Sequence, residues 1–313
     1  MFMLMEMREL CIHMYLLNNN HKNRRNGEIR FMIKIKNLIK KLIPDRVFIS
    51  YQYKNRLGKK LNLKHPKTFD EKLQWLKLHD RNPLYTKLVD KYEVKKYIAS
   101  IIGDEYVIPT IGVWDSFDEI DFSLLPRRFV LKCTHDSGST IVIKDKENID
   151  YLKLKSKMEW LLNNNYYLAY REWPYKNVKP RIIAEKYIED EKDKELRDYK
   201  LYCFNGEPYR LLVITNRYKG EAYFDYFDMD YKHLELKNHW HPNACAIPHK
   251  PIKFEEMKNL ARKLSCDIPH VRVDFYEANG QIYFGEMTFF AMGGYLILHP
   301  DQWEEEWGNK IVL

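Results

Sequence analysis

The chain has 313 residues, 45% of them apolar and 14% aromatic, enough to bury the core of one large or two ordinary domains and too many for a disordered polymer. Its formal charge of +8 is uneven: residues 1–67 carry 16 Lys/Arg against 4 Asp/Glu, which leaves the other 246 residues at −4. The basic segment suits anionic lipid, nucleic acid or an acidic polymer, whereas the remainder has the balance of an ordinary enzyme and implies no nucleic-acid partner.

In chain order, the apolar opening Met1–Leu17 is interrupted by Glu6, Arg8 and Glu9, unlike the unbroken core of a signal peptide. Residues 18–30 are polar and aperiodic and read as disordered. Residues 32–43 place Ile33, Ile35, Leu38, Ile39 and Leu42 on one stripe opposite lysines, a basic amphipathic helix. Either it docks on its own domain or it rests on an anionic membrane surface. Met32 stands directly before it, and the codons for Gly27-Glu28 would resemble a ribosome-binding site. Residues 1–31 are therefore expected to be a mis-assigned extension. Thr68 and Glu71 have capping-box spacing and open a helix to about Leu78. A helix over Leu84–Ile102 is expected to end at a left-handed Gly103, and Pro109 leads into an extended segment. Strands follow at Phe129–Cys133 and Thr140–Ile143 around a polar turn, then a helix over Tyr151–Leu162. Further strands are Arg181–Tyr187, Asp198–Phe204 and Tyr209–Thr215, the last two joined across Asn205-Gly206, a hairpin signal. A helix over Phe254–Cys266 precedes strands His270–Tyr276 and Ile282–Thr288, around Asn279-Gly280. The class is α+β with mainly antiparallel sheets. The five cysteines are scattered without a C-x-x-C pair, as in a reduced cytoplasmic chain, and no run is long enough to span a bilayer.

The last hairpin is the richest in chemistry. Arg272, Asp274 and Tyr276 share one face of the first strand, and Glu286 and Thr288 one face of the second. Parity decides whether the two sets meet. A two-residue turn at Asn279-Gly280 puts Asp274 and Glu286 on opposite faces, whereas a three-residue loop, Ala278–Gly280, puts them on the same one. Converging carboxylates in a half-buried sheet need a cation, and magnesium held by carboxylates and phosphates suits the pair. A solvated face with a salt bridge is the competing reading. Lys132 ends an apolar strand before His135–Thr140, a small-residue loop whose amides suit phosphate oxygens, although in isolation a plain hairpin turn with an exposed lysine is the favoured reading. Glu185–Ile188 closes the apolar strand Ile182–Ala184 and has backbone groups fit for an adenine edge. Asp198-Tyr-Lys200 is by itself an unremarkable ion pair.

The order of these elements resembles that of the ATP-grasp superfamily, and within it the TupA-like branch found among genes for bacterial surface polysaccharides. The stretches that carry the resemblance are TFDEKLQWLKLHDRNPLYTKLVDKYEVKKYI, FVLKCTHDSGSTIVIKDK, YREWPYKNVKPRIIAEKYIED, DYKLYCFNGEP and VRVDFYEANGQIYFGEMTFF. They run from about Lys67 to the end. The resemblance implies an ATP-grasp fold of two α+β subdomains, 127–190 and 191–313, behind a mainly helical region, 32–126. It implies ATP and Mg2+ as cofactors. Lys91 and Lys132 would hold the phosphates, and Ser137, Gly138 and Ser139 would close over them. Glu185, Lys186 and Ile188 would border adenine, and Asp198 would grip ribose, with Glu195 as a competitor. Lys200 and Arg217 would face the transferred phosphate, with Arg272 at the tetrahedral intermediate. Asp274, Glu286 and Thr288 would bind the metal, Thr288 standing where the superfamily often has asparagine.

The implied reaction activates a carboxylate as an acyl phosphate and passes it to an amine. The partners would be a uronic acid or an amino acid, at the cytoplasmic face of the membrane. A kinase acting on a sugar hydroxyl would use the same ATP site. A glycosyltransferase would lean on Asp228-Met-Asp230, and a non-catalytic scaffold would be expected to lack the Asp274/Glu286 pair. His239-Trp-His241 reads as solvated surface.

Overall fold

Thr68 starts the helix that ties the N-terminal region to the core. Its side chain accepts from Glu71 N, and Glu71 reaches back to the amide of Thr68, so the expected capping box is formed. The computed structural model describes residue 38 and residues 40–192, 196–217 and 220–313. It divides into two units, Met1–Pro44 and Asp45–Leu313. In the first, residue 38 and residues 40–42 are helical, with Leu38 and Leu42 exposed. The rest of the segment 32–43 up to residue 39, and the stretch 1–31, lie outside the described residues.

The N-terminal helices are α1 (Asp45–Leu57), α2 (Phe69–His79), α3 (Leu84–Val89) and α4 (Glu93–Ile102). The single helix expected over Leu84–Ile102 is thus two. The chain breaks at Asp90, whose backbone is extended (ψ 112). Its carboxylate accepts from Tyr92 N at 2.8 Å and Glu93 N at 3.2 Å, satisfying amides that open α4. Periodicity is blind to such a break, because α3 and α4 both turn apolar faces into one core. Gly103 has φ 117 and ψ 152, a conformation outside the left-handed helical region expected for it and strained for any side chain.

A four-stranded antiparallel sheet runs β1-β4-β2-β3, from β1 (Thr110–Trp114), β2 (Phe129–Cys133), β3 (Ile141–Ile143) and β4 (Ile182–Lys186). Because β1 is its edge, this sheet begins upstream of the boundary expected at residue 126. α5 (Tyr151–Leu162) covers it, with Leu154, Met158 and Leu161 in a core shared with Phe129 and Leu131, and a single turn, α6 (Tyr167–Tyr170), follows. A five-stranded antiparallel sheet runs β10-β9-β5-β6-β7, from β5 (Asp198–Phe204), β6 (Glu207–Thr215), β7 (Tyr223–Phe227), β9 (His270–Ala278) and β10 (Gln281–Thr288). A short pair, β8 (Lys237–Asn238) and β11 (Leu298–His299), stands beside it. Asn205 (φ 49) and Gly206 (φ 84) make the expected two-residue hairpin, since that turn needs positive φ at both positions. α7 (Phe254–Leu264) buries Phe254, Met257, Leu260, Ala261 and Leu264 beneath this sheet. α2 packs on α8 (Gln302–Lys310), where Gly308 lies so close that a Cβ would sit 2.1 Å from Lys67 O. The helical N-terminal region therefore shares the large core with the second sheet. Among the described residues no helix is long and apolar enough to cross a membrane.

Candidate active site

The β9–β10 hairpin is built differently from the expected three-residue loop, yet brings the same residues together. Its turn is the two-residue one: Ala278 pairs with Gln281, and Asn279 (φ 52) and Gly280 (φ 75) both have positive φ. By itself that register would set Asp274 and Glu286 on opposite faces. A bulge between Phe284 and Glu286 inserts Gly285 and restores parity, so Glu286 stands opposite Asp274 and Thr288 opposite Arg272. A Cβ on Gly285 would lie 3.1 Å from both Asp274 O and the Tyr276 ring. Glycine at this position is the signal that sequence reasoning missed.

The neighbouring pairings extend this face. Lys200 lies opposite Asp274, Asp198 opposite Tyr276, and Tyr202 opposite Arg272. Asp274, 1% exposed, takes the Arg272 fork at both oxygens, Nε to Oδ1 and Nη2 to Oδ2, each at 2.7 Å, and also accepts from Lys200 Nζ. Arg272 Nη2 reaches Glu286 Oε1 at 3.2 Å and Thr288 Oγ1 at 3.0 Å, and Thr288 donates to Glu286 at 3.1 Å. Asp198 pairs with Lys200 at 3.4 Å and with Arg217 Nε at 3.1 Å. Burial is the largest influence on both metal-candidate carboxyls. At Asp274 it prevails and raises the carboxyl. At Glu286 the cations Lys200, Arg272 and Lys91 outweigh it and hold the carboxyl down at about 2.

The other wall comes from the first sheet. Glu185, 5% exposed, lies between Lys132 and Lys95, each with Nζ 2.5 Å from one of its oxygens. Burial opposes its charge, but Lys132 first and Lys95 second overcome it, leaving the carboxyl at about 2. The Glu185 side chain is thus committed to two lysines. Lys95 was not foreseen; it sits one helical turn after Lys91. The break at Asp90 places Lys91 at the base of the loop 134–139. Its amide donates to Thr134 O at 3.1 Å, and its ammonium to Cys133 O at 2.9 Å and to Asp136. Ser139 Oγ is buried, accepting from Cys133 N at 2.9 Å and donating to Asp136 at 2.5 Å, so it braces the loop from inside. Ser137 and Gly138 (φ 88) are its exposed tip.

The two walls enclose a cleft of ≈ 580 Å³. Lys91, Lys132, Ser137, Gly138, Glu185, Asp198, Lys200, Arg217, Arg272, Glu286 and Thr288 all line it, while Asp274 lies beneath its floor. Lys186 and Ile188 are outside the lining, and Glu195 is outside the described residues. Trp240 and His241, taken from the sequence as surface, do line the cleft, with His241 stacked on Phe224 at 4.1 Å. His239 faces His299 at 3.2 Å. Asp228 accepts from the amides of Asp230 and Lys232, so the Asp-Met-Asp sequence builds a turn away from the cleft. Glu172, Tyr166, Tyr175 and Arg56, none of them singled out in the sequence, complete the lining.

The sequence argument for a metal was that Asp274 and Glu286 need a neutralising cation. Lys200 and Arg272 already supply one, so neutralisation alone does not require an ion. Among the described residues no cluster of three or more acidic, His or Cys side chains forms a self-sufficient metal site. Two carboxylates and the Thr288 hydroxyl are nonetheless hard oxygen donors on one face, which fits an ion held chiefly by substrate phosphates.

No curated protein matches the chain. Among solved structures, the D-alanine–D-alanine ligase of Bacillus anthracis complexed with ATP is 15% identical, with 64% of this chain and 54% of that one covered and a TM-score of 0.37. The Helicobacter pylori D-alanine–D-alanine ligase is 14% identical, with coverages of 78% and 69% and a TM-score of 0.41. The ATP-grasp ligase PsnB, complexed with minimal precursor, Mg and ADP, is 10% identical, with coverages of 70% and 57% and a TM-score of 0.37. The chain thus spans between about half and about two thirds of the length of these ligases. At this similarity they decide nothing about substrates. The family signature TupA-like ATPgrasp matches residues 71–312, most of the chain, and the chain belongs to that ATP-grasp family.

Proposed function

We propose that the protein is an ATP- and magnesium-dependent ligase that joins a carboxylate to an amine through an acyl phosphate. The observation that supports it best is the arrangement of charge across one cleft. Lys91 and Lys132 stand under a loop tip on one side, and Lys200, Arg217 and Arg272 stand among carboxylates on the other. Phosphoryl transfer needs positioning and charge neutralisation more than covalent participation by the protein.

On this reading Lys91, Lys132 and the amides of Ser137 and Gly138 bind the polyphosphate. A phosphate competes with Glu185 for Lys132, so nucleotide binding exchanges one partner of that ammonium for another. The family resemblance puts the backbone of Glu185, Lys186 and Ile188 beside adenine, although only Glu185 of the three lines the cleft. Asp198 contacts ribose while it holds Arg217 and Lys200 toward the transferred group. Arg272 faces the developing oxyanion. Glu286 and Thr288, with Asp274 beneath them once it shares its Arg272 and Lys200 contacts, would hold a magnesium ion together with the phosphates, and the ion would supply further charge stabilisation. The carboxylate and amine are a uronic acid and an amino acid, or two such components of a surface polysaccharide.

An ADP-release screen of uronic acids, free and polymeric, against amino acids tests this reading. Product mass separates the outcomes: an amide supports the ligase, and a phosphorylated sugar replaces it with a kinase.

A further inference from the structure

Glu172 is a buried carboxylate that the reaction described so far does not use. It is 3% exposed, lines the cleft, and its Oε1 has no hydrogen-bond partner among the described residues. An orphaned buried carboxylate oxygen is costly, and such a group in a native fold calls for an explanation.

The backbone is strained to put it there. The short helix Tyr167–Tyr170 ends at Arg171, whose φ of 58 is left-handed although the residue is not glycine. Arg171 turns one way, with Nε 3.1 Å from Asp45 and its guanidinium 4.2 Å from the Phe48 ring centroid. Glu172, the next residue, turns into the cleft. The Tyr166 hydroxyl is close enough to its carboxylate to favour the charged form. The ammonium that acts on it most strongly, that of Lys77, is already saturated: it donates to Gln74 Oε1 at 2.8 Å, Tyr170 O at 3.0 Å and Gly293 O at 2.5 Å.

The surroundings suit a small cation. Tyr166 lies 5.7 Å from Tyr170 and 4.8 Å from Tyr175, and Tyr170 lies 6.5 Å from Tyr295, ring centroid to ring centroid. Aromatic walls around a carboxylate attract an ammonium group through both charge and the ring faces. The guanidinium of Arg56 lies 5.1 Å from the Tyr170 centroid and 5.2 Å from that of Tyr295, an anion contact on the same box. Tyr166 also lies beside Ser137 at the loop tip, and Glu172 is within electrostatic reach of Glu286 and Arg272. The box therefore adjoins the phosphoryl-transfer end of the cleft and not the Lys95–Glu185 end. A carboxylate placed against Glu172 itself would be repelled, whereas Arg56 across the box can take one.

We propose that Glu172, framed by Tyr166, Tyr170, Tyr175 and Tyr295, is the acceptor subsite, which binds the primary ammonium of an amino acid whose carboxylate meets Arg56. The proposal rests on the ligase reading. The nitrogen gives one proton to Glu172 and attacks the acyl carbon. A C–N bond forms, the C–O bond to phosphate breaks, and phosphate leaves with the electron pair and takes the second nitrogen proton. Burial above all, with Glu286 adding to it and Lys77, Tyr166 and Arg272 opposing, lifts the Glu172 carboxyl to about 7, where a base works best at neutral pH.

The test is calorimetry on the full chain at pH 8 with free amino acids and their N-acetyl derivatives as probes, with and without Mg–AMP-PNP. At least one free amino acid will bind the wild type, its N-acetyl form will not, and Glu172→Gln will weaken binding by about tenfold or more. Glu172→Asp will recover part of it. Tyr166→Phe, which keeps the carboxylate and removes one hydroxyl, will weaken it several-fold and stands in if the Gln variant does not fold. Equal binding by the Gln variant, equal binding of the N-acetyl form, or no amino acid bound by the wild type would each overturn the subsite. Loss of the ligase reading shows separately, as a phosphorylated sugar and no amide in the product-mass screen, while the amino-acid arm without nucleotide still decides the subsite.

Discussion

Asp274 and Glu286 face each other across the hairpin, but their surroundings predict different mutants. Glu286 has an exposed edge toward the cleft, with side-chain exposure of 36%. Glu286→Gln is expected to abolish magnesium-dependent ATP turnover with little change in melting temperature. Asp274→Asn removes the charge that Arg272 and Lys200 share in the interior, leaving buried cations short of a partner. It is expected to lose turnover and also about 3–5 kcal/mol of stability, the usual cost of breaking a buried pair. Urea unfolding of the two variants measures the contrast, and equal stability would remove it. Glu185 makes a pH prediction. Its carboxyl is held at about 2 against an ordinary value of 4.5, so the stability it contributes is fully present above 4.5 and is lost as pH falls toward 2. Melting temperatures of the wild type and Lys132→Ala should differ most at neutral pH and converge in acid, and a gap that widened in acid would contradict the assignment.

Two elements owe their form to a few atoms. The break between α3 and α4 depends on Asp90, which satisfies two amides of α4 and also takes Arg181 Nη2 at 2.8 Å. Asp90→Ala is expected to cost about 1–2 kcal/mol for the cap and to loosen the base of the loop 134–139, which hangs from Lys91. Faster amide exchange over 134–139 in that variant is the readout, and unchanged exchange would show that the loop holds itself. The bulge at Gly285 is the second such element. Gly285→Ala forces its Cβ against Asp274 O and the Tyr276 ring. The expected result is a loss of about 1–3 kcal/mol together with ATP turnover, because restoring a plain ladder would carry Glu286 to the other face. A crystal structure of the variant with Glu286 still opposite Asp274 would refute the reason given.

At the scale of the whole molecule, the excess positive charge is gathered before residue 68 while the remainder is slightly acidic. We expect the helix around residues 32–43 to rest on anionic membranes, near lipid-linked sugars. The full chain should sediment with anionic vesicles at low salt and be released at high salt, and no binding at low salt would leave that helix without a membrane role.

The element types, the capping box at Thr68, the Asn205-Gly206 turn and the Lys–loop–Glu-Lys–Asp-x-Lys–Arg-x-Asp–Glu-x-Thr order were legible from residues alone, because periodicity, capping and turn chemistry are local. The helix break at Asp90 was not, since it depends on Arg181 and Thr134, far along the chain. Nor was the route by which Asp274 meets Glu286. The turn has the length that Asn279-Gly280 prefers, and parity is corrected five residues later by a bulge that only Gly285 fits. Glu172 and Lys95 were invisible for the same reason. A carboxylate acquires its role from what surrounds it, and the tyrosines, Lys77 and Lys132 reach those places only when the two sheets close on each other. Sequence determined which local structures form and which family chemistry they resemble. Tertiary structure decided register and burial, and through burial which charges are already neutralised and which carboxylate is left for a ligand.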